Sequence, residues 1–139
     1  MARILAIDYG KKRTGLAVTD PLQIIATGLA TVATDDLVYF LKKYFTQEDV
    51  AEIVLGNPLR MDGADNELSP KVKKLASQLQ KLFPDKAVSL ADERLTSKMA
   101  FQSMIDSGMK KKDRQNKATI DLVSATILLQ GYLQQKTAS

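Results

Sequence analysis

The sequence predicts an α/β fold, with a mixed five-stranded sheet flanked by helices. Three observations carry that prediction. Up to Val32 the chain holds three short β-like runs separated by turns, so these strands form an antiparallel meander. After them helical and strand-like stretches alternate, which calls for crossover helices and late strands parallel to the first. The chain then closes on a long, mostly apolar helix that needs a sheet face to cover it.

The elements follow in order. Ile4 to Ile7 is apolar and reads as a buried strand that runs into Asp8. Thr14 to Thr19 alternates, with Leu16 and Val18 on one face and Gly15, Ala17 and Thr19 on the other. That small-residue face lets another element approach closely. Asp20-Pro21 makes a turn, and Ile24 to Val32 is a third strand interrupted by Gly28. Thr34 is expected to cap a helix carrying Asp35 and Asp36 in its first turn. Leu37, Phe40, Leu41 and Tyr44 recur along it at helical spacing, and Lys42 and Lys43 suit its C-terminal end. Ala51 to Leu55 is a short strand closed by Gly56-Asn57-Pro58. Ser69-Pro70 starts a second helix marked by Val72, Leu75, Leu79 and Leu82, and Phe83-Pro84-Asp85 stops it. Ala87 to Leu90 is the fifth strand. A helix capped by Thr96 and ending at Ser107-Gly108 follows, then a basic loop from Met109 to Lys117, then the helix Thr119 to Leu133. No repeat or linker divides the chain, so residues 1–139 read as one domain.

Composition narrows the chemistry. The 139 residues contain no His and no Cys. Those zeros exclude Ser-His-Asp and Cys-His nucleophilic sites and the usual zinc ligand sets. Catalysis must therefore rest on Asp, Glu, Lys, Arg, Ser, Thr or Tyr, or on a hard cation held by oxygens, which selects Mg²⁺ or Mn²⁺ with Ca²⁺ as the other hard candidate. No stretch approaches the roughly 18 apolar residues of a membrane span, and the first strand begins too early for a signal peptide. The expected setting is cytoplasmic, away from membranes. The net charge is +4. Its basic residues gather at Lys11 to Arg13, at Lys71, Lys73 and Lys74, and at Lys110 to Lys112 with Arg114 and Lys117. Each cluster taken singly also reads as solvated surface.

Acids stand at three punctuation points. Asp8 ends the first strand, Asp92 and Glu93 end the fifth, and Asp121 heads the last helix. In parallel α/β sheets, sites form outside the carboxyl ends of the strands, and adjacent first and fifth strands would put these acids on one rim. Asp121 shares a helical stripe with Ser124, Ala125, Leu128 and Tyr132, so small residues would hold it close to the sheet. Clustered carboxylates repel, and divalent cations resolve the repulsion. Two ions about 3.5–4 Å apart would activate water and stabilise the leaving oxygen of a phosphodiester. Gly10 would let a ligand backbone approach, and Lys11 and Arg13 would hold flanking phosphates. Each position also has a plain alternative: Asp8 and Gly10 suit a hairpin turn, Asp121 a helix cap, and Glu93 a partner for Arg94.

AIDYGKKRTGLAVTDP, GNPLRMDG, DERLTS and IDLVSATILLQGYL resemble, in order, the signature segments of the YqgF/RuvX family. The match spans nearly the whole chain. The resemblance implies a ribonuclease H-like fold related to the RuvC Holliday-junction resolvase, with metal-holding acids carried here by Asp8, Glu93 and Asp121. RuvC-like enzymes use a fourth acid near the C-terminal helix, where this chain has Ser124. The implied activity is metal-dependent phosphodiester hydrolysis, in maturation of the 5′ end of precursor 16S ribosomal RNA or, alternatively, on four-way DNA. The expected partner is thus nucleic acid, precursor rRNA or branched DNA, bound by a monomer or homodimer. Arg94 would steady Glu93 or a phosphate, Asp92 is the fallback ligand, and Lys110, Lys111 and Lys112 would contact the substrate backbone. Two other readings fit parts of the pattern. Ile7 to Gly15 also suits the phosphate loop of actin-like nucleotide-binding domains, although no second half is present. A non-catalytic nucleic-acid or ribosome-assembly module would use the basic clusters alone.

Overall fold

The computed structural model describes residues 2–57, 67–92 and 116–138. Five strands, β1 (Arg3–Asp8), β2 (Arg13–Thr19), β3 (Ala26–Ala33), β4 (Val50–Asn57) and β5 (Ala87–Asp92), form one sheet in the order β3-β2-β1-β4-β5. β1, β2 and β3 pair antiparallel, whereas β4 and β5 run parallel to β1. Helices α1 (Leu37–Gln47) and α2 (Ser69–Leu82) connect the late strands, and α3 (Lys117–Ala138) closes the described chain.

Alternation along the strands sorts side chains into two cores. Leu5, Ile7, Leu16, Ile53 and Leu55 pack with Leu37 and Leu41 of α1 and with Val72, Leu75 and Leu79 of α2. Ile4, Ala6, Ala17 and Val54 face the other way and meet Ala125, Leu128, Leu129 and Leu133 of α3. β1 and β4 are central and covered on both faces, which is why they read as nearly continuous apolar runs.

Several expectations change in the folded chain. β1 and β5 are not neighbours, because β4 pairs with both of them. Their carboxyl ends still share one rim, now with Asn57 between them. Ile24 and Ile25 do not belong to β3; they are 66% and 64% exposed, in a loop organised by Asp20. The Asp20 carboxylate accepts the main-chain N–H groups of Leu22, Ile24 and Ile25 at 3.1, 2.8 and 2.7 Å. Those bonds hold its pKa below the ordinary value of 3.8. Gln23 in this loop takes a left-handed φ of 60°.

Thr34 does not cap α1. It opens a 3-10 turn, Thr34–Asp36, and its hydroxyl donates to the Gly10 carbonyl at 2.6 Å while sharing a 2.9 Å hydrogen bond with the Thr14 hydroxyl. The tertiary partners compete successfully for that oxygen. Lys42 and Lys43 sit mid-helix, since α1 continues to Gln47. Gly56 and Asn57 extend β4 instead of leaving it. Ser69 is the first residue of α2 and is buried, with Leu68 at the cap position. Leu82 is 39% exposed because it lies past the end of the packed stripe. Lys117 belongs to α3, and the helix expected from Thr96 lies outside the described residues.

Candidate active site at the strand rim

Asp8 is the last residue of β1. Alternation gives it the parity of Ile4 and Ala6, and so the α3 face. It stands directly across from Gly15 in the β1–β2 register. A Cβ at Gly15 would run into the main chain of Asp121, so the bare glycine lets the first turns of α3 lie on β2 beside Asp8. This is the close approach expected of the small-residue face. Gly28 does the same one strand further out, where a Cβ would stand 2.8 Å from the Leu122 Cγ.

Asp121 is half-buried. Burial pushes its carboxyl above the ordinary value, and the neighbouring Arg13 guanidinium offsets this only in part. Arg13 Nε donates to Asp121 Oδ2 at 3.1 Å. The basic residue expected at a phosphate thus stands on a carboxylate, as a cation already in place. Three residues along α3 from Asp121, Ser124 is 1% exposed and its hydroxyl has no hydrogen-bond partner among the described residues. Asp8, Asp121 and Ser124 each offer oxygen atoms, the ligand type that hard divalent cations take.

Lys11 pairs with Glu67 at 2.9 Å, and both side chains are largely exposed. Gly10 owes its identity first to its own turn, since a Cβ there would strike the Arg13 carbonyl. Asn57, read from sequence only as a turn residue, ends β4 opposite Asp92, and its buried Oδ1 accepts no hydrogen bond from the described residues. Only the strand order reveals that it belongs to the rim. Glu93, Arg94, Lys110, Lys111 and Lys112 lie outside the described residues. Among the described residues, no three Asp, Glu, His or Cys side chains gather closely enough to hold a metal ion by themselves. No described helix is long and apolar enough to cross a membrane.

A family model described as "RuvX: Holliday junction resolvase" matches residues 2–135. The chain belongs to the RuvX family. RuvX-family relatives named "Putative pre-16S rRNA nuclease" align over nearly their whole length. The one from Flavobacterium psychrophilum is 54% identical across 98% of this chain and 99% of its own. The one from Phocaeicola vulgatus is also 54% identical, across 98% of each chain. The Porphyromonas gingivalis relative is 49% identical across 96% of each. Two solved structures of Thermus thermophilus RuvC share the fold of this RuvX-family chain. The first, in complex with a Holliday junction substrate, gives a TM-score of 0.58 at 17% identity, over 99% of this chain and 96% of that one. The second gives 0.53 at 16% identity, over 98% and 96%. The architecture is ribonuclease H-like.

Proposed function

We propose that this RuvX-family chain is a divalent-metal-dependent nuclease that hydrolyses phosphodiester bonds of precursor 16S ribosomal RNA in 5′-end maturation. The observation that supports this reading is that Asp8 and Asp121, far apart in sequence, both border Gly15, Asp8 as its register partner and Asp121 through its main chain. The names of relatives about half identical over the full chain supply the substrate.

Asp8, Glu93 and Asp121 hold the Mg²⁺ or Mn²⁺. Of the two adjacent acids, the resemblance of the DERLTS segment to the family signature favours Glu93 as the third acid, with Asp92 as the fallback. A divalent ion bound there supplies activation of a water and neutralises charge building on the phosphate. The chain contributes no covalent nucleophile, in keeping with its lack of His and Cys. Arg13, once exchanged off Asp121, offers its guanidinium fork to a phosphate oxygen. Lys11 leaves an exposed ion pair that water screens, so a phosphate displaces Glu67 at little cost. Gly10 keeps the turn that carries both, and Arg94 with Lys110, Lys111 and Lys112 contacts the backbone of the nucleic acid.

The description of the family model favours a second substrate, the four-way DNA junction. Incubating the protein with precursor 16S rRNA and with a four-way junction, with and without Mn²⁺, separates the two. We expect metal-dependent cleavage of the RNA. Asp8→Asn keeps the shape of the side chain but removes its charge, so cleavage falls by about a hundredfold or more while binding persists or tightens. Full activity in a folded Asp8→Asn protein, with contaminating nuclease excluded, would overturn the proposal.

A further inference from the structure

A groove of about 660 Å³ runs between the β3 edge and α1, lined among others by Ala33, Asp36, Tyr39, Phe40, Lys43 and Tyr44. That volume falls within the roughly 300–1,000 Å³ of sites that take small organic groups. We propose that this groove binds a single-stranded flank of the nucleic-acid substrate, its aromatic rings stacking on bases. The inference rests on the nuclease reading and names the form of substrate that the same rim receives.

Position is the first support. Ala33, at the upper end of the groove, is the register partner of Arg13, and the Thr34 N–H donates to the Lys12 carbonyl at 3.0 Å. The groove therefore opens beside the basic turn of the rim and leads away from it along α1. The surface chemistry is the second. Phe40 and Tyr44 stack at 8° with centroids 6.0 Å apart and are anchored against the core, so they form a fixed floor. Tyr39 is 72% exposed, so its ring is open to a ligand in the groove that it helps to line. Lys43 supplies a cation along the same helix. A platform of rings with a lysine beside it is the means by which proteins hold single strands without reading sequence. Asp36 at the upper end repels phosphate, which favours bases over the backbone there, and its carboxylate accepts hydrogen bonds from exocyclic amines. A duplex buries its base faces in its own stack and gains nothing from these rings.

The test is fluorescence anisotropy of a labelled single-stranded RNA of about 12 nucleotides, and of the same sequence as a duplex, in EDTA so that nothing is cut. Stacking is worth about 1–3 kcal/mol per base, so Tyr39→Ala weakens single-strand binding by roughly five- to 150-fold. Tyr39→Phe keeps the ring and restores it, and duplex binding stays unchanged in both. Lys43→Gln lowers the slope of log K against log salt by about 0.7 for the single strand. Unchanged melting of each variant shows that the fold is intact. If Tyr39→Ala binds the single strand like the wild type while Asp8-dependent cleavage persists, the groove proposal falls and the nuclease reading stands. Equal losses on single strand and duplex also overturn the groove. If the wild type does not bind the single strand, the groove proposal falls, and the nuclease reading is decided separately by the cleavage assay with Mn²⁺.

Discussion

Asp20 shows how a single carboxylate organises a loop. Three main-chain N–H groups converge on it, and with them the turn between β2 and β3 needs no apolar support. Its pKa is lowered, chiefly by the Ile25 N–H, so the charged form is favoured in the folded chain. The sign follows directly. The unfolded chain binds the proton more readily, so the contribution is complete above the ordinary value of 3.8 and is lost as pH falls through the lower, folded value. Acid unfolding followed by circular dichroism should therefore show a shallower loss of stability below about pH 4 for Asp20→Asn than for the wild type. Parallel limbs would mean that the carboxylate is not what holds the loop. Asp121 presents the opposite case. Burial raises its pKa against the pull of Arg13, so its charged form is placed at a cost to the fold.

At the scale of elements, the site depends on how closely α3 lies on the sheet. That closeness rests on Gly15 and Gly28, and the two differ in what surrounds them. A methyl group at Gly15 meets backbone, which cannot step aside, whereas at Gly28 it meets the end of the Leu122 side chain. Gly15→Ala should cost about 1–3 kcal/mol, a fall of roughly 3–12 °C in Tm, and Gly28→Ala distinctly less. Gly15→Ala should also lose cleavage beyond its loss of stability, because it moves Asp121 away from Asp8. Differential scanning calorimetry alongside the cleavage assay measures both, and equal effects at the two glycines would refute the close-packing account. The small face of β2 was legible in sequence because alternation alone sorts Gly15 and Ala17 from Leu16 and Val18. The end of α1 was not, since its length is set by packing on the sheet and not by the lysines within it.

For the molecule as a whole, the proposed metal site should link stability to metal. A ligand that binds only the folded state stabilises it by RT ln(1 + [L]/Kd), about 2.7 kcal/mol at a hundredfold excess. Mn²⁺ or Mg²⁺ should raise the Tm of the wild type and raise that of Asp8→Asn less, as read by thermal melts across a metal titration. Equal shifts in the two proteins would put the ion elsewhere. The same melts are independent of any choice between RNA and DNA, since no substrate is present.

Strand periodicity, turn residues and the final apolar helix together determined the five strands in order, the two faces of β2, and the place of Asp8 at a strand end. These are local properties, set by spacing over a few residues. Tertiary structure decided what local spacing cannot. It put β4 between β1 and β5, brought Asn57 to the rim, and turned Thr34 from a cap into a partner of Gly10 and Thr14. It also set Arg13 on Asp121, 108 residues away, and left Tyr39 uncovered at the mouth of a groove. Strand order and long-range pairs depend on how crossovers pack against the finished sheet, and no window of sequence contains both partners.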